Sequence, residues 1–184
     1  MTGYAELQCT SHFSFLRGAS SCEQLFAQAA HYGVKALAIT DRNSIAGIVR
    51  AHACAKHTGV RLIVGCRLDL MDGTSILVYP TNKDAYSRLC RLLSLGKRRA
   101  GKGECHLTWD DLPDYAEGLI AILVPEEPDD TCKEQLQKLN ACFGKDAFLA
   151  LTLRRRPRDT MRLYRLSELA HELDVLPVVT NDVL

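Results

Sequence analysis

At 184 residues the chain has room for one domain, or for one domain with a short extension. Apolar residues make up 47% and charged residues 24%, an ordinary balance for a globular core, and the formal net charge of +1 creates no global pull toward nucleic acid or membrane. No apolar run approaches the roughly 18 residues of a membrane span, and Met1 to Glu6 lacks the basic and apolar regions of a signal peptide, so a cytoplasmic, non-membrane chain is expected.

Short β runs alternate with helical patterns. Tyr4 to Cys9 reads as a first strand. Ser20 or Ser21 caps a helix from Cys22 to Tyr32, with Glu23 and Gln24 placed for a capping box and Gly33 as its left-handed stop. Lys35 to Thr40 is too short for a helix and fits a buried parallel strand. Ile45 to His57 forms the next helix, with Ile48, Val49 and Ala53 on one face and Gly59 at its end. Arg61 to Leu70 and Thr74 to Tyr79 are strands joined by Met71, Asp72 and Gly73, where the Asp-Gly pair signals a hairpin. Asn82 caps a helix from Lys83 to Leu95, and Gly96 to Gly103 reads as an exposed basic loop. A strand at Leu119 to Val124, a helix at Thr131 to Phe143 closed by Gly144, and a strand at Ala147 to Leu153 follow. Pro157 precedes a helix from Arg158 to Leu173, and Pro177 to Thr180 is the last strand. Alternation at this spacing implies right-handed βαβ units around a parallel sheet or barrel, and a chain ending at Leu184 without a closing helix reads as part of a longer protein.

Eight cysteines are many, but none form CxxC and most lie in apolar stretches, which favours reduced, buried thiols packing as small hydrophobes. His31, His52, His57 and His171 fall on helices as solvated residues, whereas His12 and His106 lie in loops near strand ends. Asp41 and Asp182 directly follow buried strands, although each also suits a cap or turn. Cys9, Cys105, His106, Asp41 and Asp182 make a zinc set only if the fold gathers them. No P-loop, GxGxxG, HExxH or GxSxG is present.

Several collinear runs carry a family resemblance. They are Tyr4 to Ser20, Ala36 to Asp41, Ser44 to His52, Leu89 to Arg99, Gly103 to Leu107, and Val179 to Leu184. Together they resemble the N-terminal PHP domain of C-family bacterial DNA polymerases, in the polymerase III α-subunit group, and of its error-prone branch in particular. The resemblance implies an α/β fold, a PHP-type distorted (β/α)7 barrel, here truncated before the last βα unit or units. It assigns all of residues 1–184 to that domain and none to a polymerase core.

Metal-bearing members of that family carry His-x-His where this chain has Gln8 and Thr10, and Asp-His where it has Asp41 and Arg42. A glutamate position holds Arg67, a carboxylate position holds Ala150, and the closing Asp and His positions hold Asp182 and Leu184; the alignment at His106 leaves its role open. Arginine has no lone pair to offer a cation. The expectation is therefore a vestigial metal site with no cofactor and no catalytic residue, in which Arg42 and Arg67 stand in as fixed charges against Asp41 and Asp182. The implied function is a structural or interaction domain of a translesion polymerase. Its partners would be the rest of the polymerase chain, DNA through the full-length protein, and other mutagenesis or replication proteins, with no membrane. Lys97, Arg98, Arg99 and Lys102 are candidate phosphate contacts, with solvated loop charges as the alternative. A metal-dependent phosphoesterase or proofreading exonuclease, and a stand-alone partner-binding module, are the rival readings.

Overall fold

The computed structural model describes residues 3–184, which divide into two compact units: one runs to Arg67 and takes in Thr180–Leu184, the other is Leu68–Val179. In the first unit β1 (Ala5–Glu6), β2 (Ala36–Ile39) and β3 (Arg61–Val64) pair in parallel in that order. Helix α1 (Cys22–His31) joins β1 to β2, and α2 (Ile48–Thr58) joins β2 to β3. The Ser21 hydroxyl accepts from the Gln24 amide while Gln24 Oε1 accepts from the Ser21 amide, which closes the capping box and starts α1. Gly59, with φ of +74°, ends α2 in the left-handed conformation that glycine adopts at least cost. Cys22, Phe26, Leu37, Ile39, Ala51 and Cys54 form the core, with Phe13, Ile45 and Val183 packed against it.

Two bridges extend this sheet at its carboxyl end. Cys9 pairs in parallel with Val183, and Arg42 with Arg67. Asn43 donates its amide to the Arg67 carbonyl at 2.7 Å and Arg67 donates its own to the Asp41 carbonyl at 3.0 Å. Residues 8–10, 41–43, 66–67 and 180–183 thereby become neighbours although the sequence separates them widely.

The remaining strands are β4 (Cys66–Asp69), β5 (Ser75–Pro80), β6 (Leu119–Leu123), β7 (Ala147–Thr152) and β8 (Leu176–Thr180), hydrogen-bonded in that order. Helix α3 (Lys83–Arg99) follows β5, α4 (Asp130–Phe143) follows β6 and α5 (Asp159–Glu172) follows β7. This is a mixed α/β chain, and β5 pairs with β6 antiparallel, a departure from the parallel sheet or barrel that the alternation implied outside the Asp72-Gly73 hairpin.

Other expectations are corrected locally. The single strand from Arg61 to Leu70 is two strands in different sheets, broken at Gly65, since glycine within a strand favours a bend. Because α2 starts at Ile48, its helical phase turns Ile48, Ala51 and Cys54 inward and leaves Val49 and Ala53 exposed. Helix α3 does not stop at Leu95 but runs through Gly96 to Arg99, so the first half of the expected basic loop is helix. Strand β8 is largely exposed, not buried, with Leu176 and Val179 open to solvent.

Candidate functional site

The strand ends of the first unit carry a buried polar cluster. Gln8, Thr10 and Asp41 are almost completely buried, and Glu6 lies just beneath them. Gln8 sits in β1's continuation, fixed by the bond from the Val183 amide to its carbonyl, and the Thr10 amide returns a bond to the Val183 carbonyl at 2.8 Å. The Gln8 side chain donates from Nε2 to Asp182 Oδ1 at 2.5 Å and accepts from the Thr180 hydroxyl at Oε1 at 2.9 Å, which fixes the orientation of its amide. Arg67 Nη1 stands 3.6 Å from the same Asp182 oxygen, with the arginine side chain 11% exposed and the aspartate 29%. Asp182 itself adopts φ of +51° and Asn43 φ of +47°, a left-handed conformation that short polar side chains tolerate.

Asp41 is held differently from Asp182. Its Oδ1 accepts from the Ser11 amide at 2.9 Å and the Ser14 hydroxyl at 2.8 Å, and its Oδ2 accepts from the Ser11 hydroxyl at 2.8 Å. Ser14 Oγ in turn accepts from the Arg42 amide at 2.9 Å. Among the described residues Asp41 is therefore compensated by serine and amide donors, and the expected guanidinium pairing applies to Asp182 alone. Gly47 belongs to the same arrangement: a Cβ there would lie 3.0 Å from both Asp41 Oδ2 and Phe13.

Sequence reasoning missed Ser11, Ser14 and Glu6. Glu6 accepts from the Tyr4 hydroxyl, the Gln8 amide and the Asn181 side chain. Burial, then the hydrogen bond to Glu6 and its charge, push the Tyr4 hydroxyl well above its ordinary range. Burial first, and then the charges of Glu6 and Asp41, push the Cys9 thiol up to about 12, so Cys9 is a protonated core residue. The one available signal for the serines was their spacing, two hydroxyls three residues apart in the loop directly after the first strand.

Leu184 is 61% exposed and does not join the cluster. Ala150 is a buried residue inside β7, and His106 contacts Glu104 at 3.4 Å while its amide caps the Gly96 carbonyl; both belong to the second unit. His12 is exposed, with Nδ1 near the Ser20 carbonyl. Among the described residues no group of three or more His, Cys, Asp or Glu side chains is placed to hold a metal ion, so the fold does not gather Cys9, Cys105, His106, Asp41 and Asp182 into a zinc set. Arg99 Nη1 bonds both oxygens of the buried Asp111 carboxylate at 2.7 and 2.8 Å, with the arginine side chain 46% exposed. Lys97, Arg98 and Lys102 remain exposed.

The family model described as the PHP domain matches residues 6–152. The chain belongs to the PHP domain family. Error-prone DNA polymerase 1 of Agrobacterium fabrum is 59% identical over 181 residues, a match that takes in 98% of this PHP chain and 17% of the polymerase. The chain thus spans about a sixth of the length of the curated relatives it matches. Among solved structures, an amidohydrolase from Chromobacterium violaceum with bound sulfate and no metal aligns with a TM-score of 0.75 at 13% identity, over 98% of this chain and 87% of that one. A candidate metal-dependent phosphoesterase from Bifidobacterium adolescentis aligns with a TM-score of 0.72 at 14% identity, over 100% and 88%. These two likenesses establish the fold alone.

The metal centre such PHP folds imply does not fit the residues present here. A divalent ion needs several lone pairs converging on one point. Gln8 directs an N–H at Asp182, Arg67 brings a positive charge to the same oxygen, and the Asp41 oxygens already accept from Ser11 and Ser14.

Proposed function

We propose that this chain is the PHP domain of an error-prone, translesion DNA polymerase and works there as a scaffold without a metal centre. The identity of 59% to an error-prone DNA polymerase over 98% of the chain supports the first half of the reading. The second half is supported by the strand-end cluster, where hydrogen bonds and one guanidinium occupy the carboxylates a metal would need. In this role the domain contributes folding and surface to the polymerase chain, while nucleotidyl transfer belongs to the remainder. DNA is reached through the full-length protein, with Lys97, Arg98, Arg99 and Lys102 as candidate phosphate contacts, and other replication or mutagenesis proteins are candidate partners.

Elemental analysis of protein purified without chelator tests the scaffold reading, with zinc, manganese and iron each expected far below one per chain. Stoichiometric metal, together with manganese-stimulated phosphatase activity that Asp41→Asn abolishes, would overturn it in favour of a phosphoesterase.

A further inference from the structure

Residues 11–18 of the first unit form a tight loop that presents Phe15 and Leu16 to solvent, 84% and 86% exposed. Single exposed apolar residues are common on protein surfaces. Two large consecutive ones on a loop fixed from below are not explained that way. Ser14 donates its amide to the Ser11 carbonyl at 3.0 Å, and Arg17 and Gly18 donate theirs to the Ser14 carbonyl at 2.9 and 3.1 Å. The hydroxyls of Ser11 and Ser14 reach down to the buried Asp41 carboxylate. At Gly18 any Cβ would lie 2.3 Å from the Ser11 carbonyl oxygen, so the turn admits only glycine. Leu16 is held at φ of +60°, a left-handed conformation unfavourable for a branched side chain and uncompensated by any burial of that side chain.

We infer that the 11–18 loop is a preorganised docking element whose Phe15 and Leu16 insert into an apolar pocket on the remainder of the polymerase chain. The inference rests on the polymerase reading above. That occupant is favoured because the chain spans 17% of its polymerase relative, so most of the surface available to cover these side chains lies in the same polypeptide. A loop held by its own hydrogen bonds loses little conformational entropy on docking, and an aromatic beside an aliphatic side chain offers a large apolar area to a dry pocket. Asp41 then has a role without metal: its carboxylate fixes the loop that carries the anchor.

The full-length chain with Phe15→p-benzoylphenylalanine, irradiated and mapped by mass spectrometry, tests the inference. An intrachain adduct to a residue beyond 184 is expected, and the same substitution at Tyr32, the 73% exposed C-cap of α1, should yield none. Absence of an intrachain adduct at position 15, or adducts only to a separate protein, overturns it. Tryptic cleavage after Arg17 in the full-length Phe15→Ser/Leu16→Ser variant provides a second reading. These side chains contribute little to the core of their own unit, so the variant should fold and be cut at least about tenfold faster, the factor that a loss of ~1.4 kcal/mol of docking implies. An unchanged rate contradicts docking. Primer extension on the same samples separates the two claims. Synthesis without an adduct overturns the docking alone, an adduct without synthesis overturns the polymerase reading alone, and neither overturns both.

Discussion

Asp41 and Asp182 occupy comparable strand-end positions yet are stabilised by different chemistry, and the difference sets the cost of losing each. Asp41 is 1% exposed and accepts three hydrogen bonds from Ser11 and Ser14. Removing its carboxylate strands those donors in a buried site, so Asp41→Ala should lower unfolding free energy by about 3 kcal/mol or more. The Arg67 and Asp182 pair is longer and partly exposed. Its worth lies between that of a surface pair and a fully buried one, and Arg67→Ala should cost about 1–2 kcal/mol. Urea denaturation of the two variants checks the order as well as the magnitudes. Asp111 offers a pH test. Burial pushes its carboxyl up, but hydrogen bonds from the Thr108 amide and from Arg99, with the Arg99 charge, outweigh that and hold it below the usual carboxylate range. A carboxyl depressed in the folded state contributes stability above its unfolded value of about 4, and that contribution disappears as pH falls through the folded value. The stability difference between the native protein and Arg99→Ala should therefore be full at neutral pH and shrink below about pH 4, as measured by urea midpoints across that range.

At the scale of elements, most helices and strands were legible because their signals are local. The capping box at Ser21 and Gln24, the Asn82 cap of α3 and the Gly59 stop of α2 each act within one helical turn. The extension of α3 through Gly96 was not legible, because the reason lies elsewhere in the chain. A Cβ at Gly96 would lie 2.6 Å from Cys105 Sγ and 2.8 Å from the Leu107 side chain, so the helix uses glycine for close packing and not to terminate. Gly96→Ala should consequently destabilise by about 1–3 kcal/mol through overpacking, despite the ~1 kcal/mol that alanine gains in helix propensity. A thermal melt showing stabilisation would refute this account of the packing. The antiparallel pairing of β5 and β6 likewise escaped the alternation pattern, since β5 is entered through the Asp72–Gly73 hairpin and not through a crossover helix.

For the whole molecule, the cysteines give a readout that spans both units. Cys9, Cys22, Cys54, Cys66 and Cys132 are buried, while Cys90, Cys105 and Cys142 are half-buried. Burial pushes the thiols of Cys22 and Cys132 up to about 11, so neither is a thiolate near neutrality. The three half-buried thiols should react with an alkylating reagent at pH 8 ahead of the five buried ones, Cys105 and Cys142 slowly because burial raises their thiols as well, and all eight should react after unfolding, counted by mass spectrometry. Reaction of Cys9 or Cys22 without unfolding would show the first unit's core to be open.

Composition, local caps and collinear motifs were enough to read an α/β PHP chain, because each of those signals is carried by neighbouring residues in the sequence. Glutamine, threonine and arginine at positions 8, 10, 42 and 67 were visible without coordinates. What compensates the strand-end carboxylates was decided only by the tertiary structure. Ser11 and Ser14 converge on Asp41 across about thirty residues of sequence, and Gln8 reaches Asp182 across 174. Such partners are set by strand register and loop path, and the energy of a buried charge depends on which donors those long-range contacts bring to it.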